Sequence, residues 1–122
     1  MKRFTVETAD PAEIVQELLY GGGAVGISGL FSAGDIADAR AIIMTQSEQS
    51  AEKATHFQGA AEEVGNLNLQ RRVWNLLAKG EVFSRMATHP VLMAILRDFL
   101  GTEFIMGSIA ANRILPGGPG QE

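Results

Sequence analysis

Residues 103–115, EFIMGSIAANRIL, alternate along an extended chain in a way that leaves apolar side chains on both faces. Phe104, Met106, Ser108, Ala110, Asn112 and Ile114 share one face. Ile105, Gly107, Ile109, Ala111, Arg113 and Leu115 share the other. A strand of this kind cannot stand alone. Its edges need backbone partners, and its two faces need cover. The run predicts a strand over Glu103–Leu115, followed by the Pro-Gly-Gly-Pro-Gly turn at 116–120. Any fold for the chain must house that strand.

The rest of the sequence is mostly helical in pattern. Asp10 is placed to cap a helix, Pro11 suits its first position, and Glu13 sits at the third position of a capping box. Ile14, Val15, Leu18 and Leu19 form its apolar face, and Gly21 to Gly23 end it. AVGISGLF reads as a short buried strand. Ser32 opens a second helix, with Asp35 in its first turn and Ile36, Ala39, Ile42, Ile43 and Gln46 along its length. From Ser47 to Asn68 polarity rises and periodicity fades, as in a long loop or a weak helix. RRVWNLL reads as extended or as a short helix, and GEVFSRMA as a helical turn or two. Pro90 starts a strong helix with Leu92, Ile95, Leu96, Phe99 and Leu100 as its buried face, and Gly101 stops it. The class expected is α+β, with four or five helical pieces and two or three strands.

With 122 residues the chain has the length of one small domain. Its net charge of −4 carries no basic block, which argues against a general nucleic-acid binder and against attachment to an acidic membrane. There is no cysteine, so disulfides, thiolate metal sites and cysteine nucleophiles are excluded. MKRFTVETAD has no apolar core of a secretory signal, and no run of about 18 apolar residues occurs. A cytoplasmic location is the default expectation.

Few residues suggest chemistry. His56 lies in the polar stretch, and His89 precedes Pro90, where helix capping is the simplest role. A metal site needs three or four convergent donors, and none is legible. Glu62–Glu63 reads as a solvated face. Arg71–Arg72 fits either an anion grip or a surface pair flanking a buried Val73–Trp74. Trp74, the only tryptophan, is expected in the core. Asn112 sits mid-strand among apolar neighbours: it either faces solvent on an edge strand or offers its carboxamide to a small polar ligand.

The succession GAVGISGLFSAGDIADARAII, RRVWNLLAKGEVFSRMATHPVLMAILRDFLG and SIAANRILPGGPGQE resembles the N-terminal part of the phytanoyl-CoA dioxygenase-like family, from about Gly23 onward. That family comprises Fe(II)/2-oxoglutarate-dependent oxygenases. The resemblance implies a helical N-terminal shell plus the first strands of a truncated double-stranded β-helix, a jelly roll. The whole chain 1–122 would then be one partial domain that ends just before the family's His-x-Asp iron motif. His56 and His89 match neither iron-ligand position, so the chain is expected to hold no metal ligand and no catalytic residue of its own.

By position in the family pattern, Asn112 would lie near 2-oxoglutarate. Trp74 and Asn75 would border the substrate channel, and Gln121 would sit beside the first iron ligand. Fe(II) and 2-oxoglutarate are expected for a full-length member that hydroxylates a small molecule, and neither is expected on this chain, which would be inactive alone. The alternative is a standalone module for assembly or binding. The uncovered faces of the last strand predict a homodimer, or an aggregation-prone species, through that strand.

Overall fold

The structure, a computed structural model, describes residues 1–49 and 70–116. It is a mixed helix-and-strand fold, as the α+β expectation holds. The chain opens with a strand that the sequence pattern does not reveal, β1 (Lys2–Thr5). Helix α1 (Pro11–Tyr20) follows, then β2 (Val25–Ser28). β1 and β2 pair in parallel, Lys2 opposite Val25 and Phe4 opposite Ile27. Parallel neighbours need a crossover, and α1 supplies it, so residues 2–28 form one βαβ unit.

The start of α1 obeys its cap. Asp10 is extended (φ −87°, ψ 116°) and its carboxylate accepts the Ala12 N–H at 3.1 Å. Glu13 does not serve as the reciprocal capping-box partner but takes the Lys2 ammonium at 2.5 Å, tying α1 to β1. Ile14 and Val15 are buried as expected, whereas Leu19 is 53% exposed, because only one edge of the helix meets the sheet.

Helix α2 (Ala33–Gln49) begins at Ser32, whose hydroxyl accepts the Asp35 N–H at 3.0 Å and donates to the Asp35 carboxylate at 2.8 Å. It runs through Ser47, Glu48 and Gln49, where the sequence pattern leaves a long loop or a weak helix. Strand β3 (Gln70–Val73), a 3-10 turn (Leu76–Ala78), α3 (Glu81–Ala87), α4 (Pro90–Leu100) and β4 (Ala111–Ile114) complete the described chain. β4 pairs antiparallel with β3, Arg71 opposite Arg113, Arg72 opposite Asn112 and Val73 opposite Ala111.

The expected strand over Glu103–Leu115 is therefore corrected to four residues. Residues 103–110 adopt no regular structure, since β3 offers a ladder only as far as Val73. Among the described residues the strands form two separate two-stranded sheets.

Two small cores result. Phe4, Ile14, Val15 and Ile95 pack beneath β1 and β2, with Ala9, Leu18, Val25, Ile27 and Val91 against them. Ala39, Val73, Leu76, Val82 and Phe83 pack beneath β3 and β4, joined by Ile42, Ile43, Met86, Ile109 and Ala111. Helix α4 buries less than its pattern suggests. Ile95 is its one buried residue, while Phe99 and Leu100 are 42% and 52% exposed, because contact is made by its first two turns. Gly80, at the start of α3, lies close against α2, where a Cβ would stand 2.6 Å from Ile42 Cδ1. Gly101 ends α4 at φ +88°, a conformation open to glycine.

Candidate functional site

Side chains alternate across the β3–β4 ladder, which gives its two faces different chemistry. One face looks onto α2. Val73 is sealed there beside Ala39, Ala111 packs against them, and Arg71 and Arg113 reach the end of the helix. The opposite face carries Arg72, Asn112 and Ile114. Asn112 is exposed and Ile114 is 59% exposed. Trp74 continues this face two residues past Arg72, and the Arg72 guanidinium lies 5.6 Å from its ring centroid, a cation–π contact.

Trp74 is therefore not the core residue expected. It is 47% exposed, while Val73 beside it is buried. Strand alternation forces that outcome: one of two adjacent residues must face away from α2. Asn75 follows at φ 53°, ψ 53°, the one non-glycine residue with positive φ among those described. Asparagine tolerates the left-handed region better than most residues, and here it turns the chain from β3 into the 3-10 turn. Trp74, Asn75 and Asn112 thus gather around one end of one sheet face. Gln121, the fourth site candidate, lies outside the described residues, as do His56, Glu62 and Glu63.

His89 occupies the N-cap position of α4, but its side chain makes no capping hydrogen bond. Its ring meets Phe31 edge-on at 6.0 Å, and its Nδ1 is buried without a partner among the described residues.

Two polar clusters escape the sequence pattern. At the end of α2, Glu48 accepts from both Arg71 and Arg113, the latter at 2.6 Å. The Arg113 hydrogen bond, then that of Arg71, holds the Glu48 carboxyl below its ordinary pKa of 4.5. Ser47, fully buried, donates to the Met44 carbonyl at 2.8 Å and accepts from Arg113 at 3.1 Å. The only advance signal was Arg71, half of a basic pair. Its partner proved to be Arg113 across the ladder and not Arg72 along the chain.

The second cluster flanks an open groove of about 430 Å³ between α2 and α3, lined by Asp38, Ala41, Ile42, Glu81, Val82 and Arg85. Arg85 bonds Asp35 at 2.8 Å. That bond, and next the Ser32 hydroxyl, keep the Asp35 carboxyl below its ordinary 3.8.

Among the described residues no three His, Cys, Asp or Glu side chains are grouped to hold a metal ion, and no helix is long and apolar enough to cross a membrane. No family model matches the chain, and neither does any curated protein or solved structure.

Proposed function

We propose that the chain is the N-terminal portion of a phytanoyl-CoA dioxygenase-like oxygenase, with β3 and β4 as opening strands of its jelly roll. The observation that carries this reading is the exposed face of the β3–β4 ladder. The residues that the resemblance assigns to 2-oxoglutarate and the channel, Asn112, Trp74 and Asn75, lie at that face or at its end. In a jelly roll such a face would look toward a second sheet. The Asn112 carboxamide would donate to a carboxylate oxygen of 2-oxoglutarate, and Trp74 would wall the substrate channel. Gln121 keeps the position beside the first iron ligand that the resemblance gives it.

Bound Fe(II) and 2-oxoglutarate supply the oxidising power in such enzymes. The described residues offer no facial triad for iron, so no step through the metal is assigned to them. The coding sequence past Glu122 is the first test, where a His-x-Asp within a few codons is expected. The second is succinate formation from 2-oxoglutarate: absent for residues 1–122, present for a chain extended through that motif. Asn112→Ala in the extended protein should weaken 2-oxoglutarate binding, and unchanged affinity would remove Asn112 from the site.

A second reading, a module that assembles with itself, is favoured by the apolar surface of the C-terminal segment. Ile105 is 93% exposed, Met106 49% and Ile114 59%. Ile109, in contrast, packs against the β3–β4 core, so it cannot probe association without disturbing the fold. Sedimentation at low micromolar concentration should show a dimer that Ile105→Lys dissociates. A monomer indifferent to that change would count against this second reading.

A further inference from the structure

Arg71 and Arg113 stand directly opposite each other on antiparallel strands. Like charges so placed repel. Both guanidiniums are largely withdrawn from water, with side-chain exposures of 17% and 25%, and one carboxylate, that of Glu48, lies between them. Among the described residues the balance is one positive charge in excess. It also leaves a donor over: Arg71 Nε is buried with no hydrogen-bond partner among the described residues. A buried N–H left unpaired is costly and calls for an acceptor. A carboxylate has two oxygens, and here both are used, Oε1 by Arg113 and Oε2 by Arg71. A group with three terminal oxygens and a charge near −2 would serve both guanidiniums and the orphaned Nε together.

Glu48 is well placed to yield. It is the second-last residue of α2 and 58% exposed, so its side chain can swing to solvent without opening the core. Ser47 stays behind, fully buried, and its hydroxyl steadies Arg113.

We propose that Arg71 and Arg113, steadied by Ser47, form a binding site for a phosphate group, which Glu48 occupies as an internal surrogate when that ligand is absent. The site lies on the α2-facing side of the ladder, opposite Asn112, and does not depend on the oxygenase reading. The ligand class is a terminal phosphate, free or carried on a small molecule.

The surrogate role gives the test its sign. Inorganic phosphate is titrated into the wild-type chain by calorimetry, against chloride at matched ionic strength. Wild type should bind weakly. Glu48→Gln, which removes the competing charge, should bind phosphate about tenfold more tightly, the factor that a loss of roughly 1.4 kcal/mol of competition produces. Arg113→Gln should abolish binding in the Glu48→Gln background. Since those variants alter stability too, amide chemical shifts of wild type at Arg71, Arg113 and Ser47 are followed with phosphate and with phenyl phosphate. Both ligands shifting these three amides supports the site for free and carried phosphate, and free phosphate alone supports it for the ion. Overturning results would be Glu48→Gln binding no more tightly than wild type, chloride reproducing the effect, or acetate binding as tightly as phosphate.

Discussion

Beneath β1 and β2 the chain is closed by carbon: Phe4, Ile14, Val15 and Ile95 meet one another, and Lys2–Glu13 is an ion pair on the rim. Beneath β3 and β4 the apolar cluster is ringed by polar contacts. Glu48 holds Arg71 and Arg113, Asp35 holds Arg85, and Gln46 accepts from Lys79 at 2.7 Å. The difference traces to helices α1 and α2. α1 presents a compact apolar edge, with Ile14 and Val15 adjacent. α2 is seventeen residues long yet buries only Ala39 and Ser47 among its residues. A helix with so little apolar grip is fixed largely through its charged flanks and its partly buried Ile42 and Ile43. Such contacts weaken with salt and titrate with pH, whereas carbon packing does neither to the same degree.

The largest expected effects come from the centres of the two cores. Phe83→Ala should cost about 3–5 kcal/mol and Ile14→Ala about 2–5 kcal/mol by urea denaturation, since both residues are buried and each truncation leaves a cavity. If the cores fold together, both variants move one transition. Two transitions, each responding to one variant, would show that the contrast extends to independent unfolding.

Acid separates the two sides next. Glu48 and Asp35 have carboxyls below their ordinary values of 4.5 and 3.8. Each therefore contributes stability that is complete above its unfolded pKa and fades as pH falls through the lower folded value. Amide exchange at pH 3 should rise more in α2 and β3 than in α1 and β2. Glu48→Gln should remove part of that difference, and equal acid response on both sides would break the comparison. Because Glu48 is exposed and Asp35 is only partly buried, the change should fall well below that of the core truncations.

A smaller change is expected where the two sides meet. His89 caps α4 in position only, and serine there can accept from the first-turn amides. His89→Ser should gain about 1 kcal/mol from the cap, offset in part by the lost edge contact with Phe31, which precedes α2. A net rise in melting temperature is expected, and a fall would show that the ring contact between the two sides matters more than the cap.

Least of all, Lys2 is held above its ordinary 10.5, first by its hydrogen bond to Glu13. Its contribution is complete below the unfolded value and fades as pH rises through the folded one. Lys2→Met should blunt a slight alkaline loss confined to β1 and α1, visible as local amide exchange. An alkaline response centred on α2 would contradict the assignment.

Helix starts were legible because their causes are local. Asp10–Pro11, Ser32–Asp35 and Pro90 each act within one turn, and Gly101 stops α4 by its own backbone freedom. β1 was not legible: four residues with one buried side chain, Phe4, carry too little pattern. The last strand was read too long because alternation describes what a segment can do, not whether a partner runs beside it. Of the candidate site, the sequence singled out Asn112, Trp74 and Asn75 but misjudged the exposure of Trp74, and it saw nothing at Ser47 and Glu48.

The sequence by itself determined where α1, α2 and α4 begin, where α1 and α4 end, the α+β character and apolar residues such as Ile14 and Ile95 available to a core, since these follow from side-chain size and short-range hydrogen bonds. Only tertiary structure decided which strands pair, which face of β3–β4 meets α2, and that Arg71 finds Arg113. Those outcomes depend on segments some forty residues apart in the chain being set side by side in one register, and no local preference of either segment encodes that.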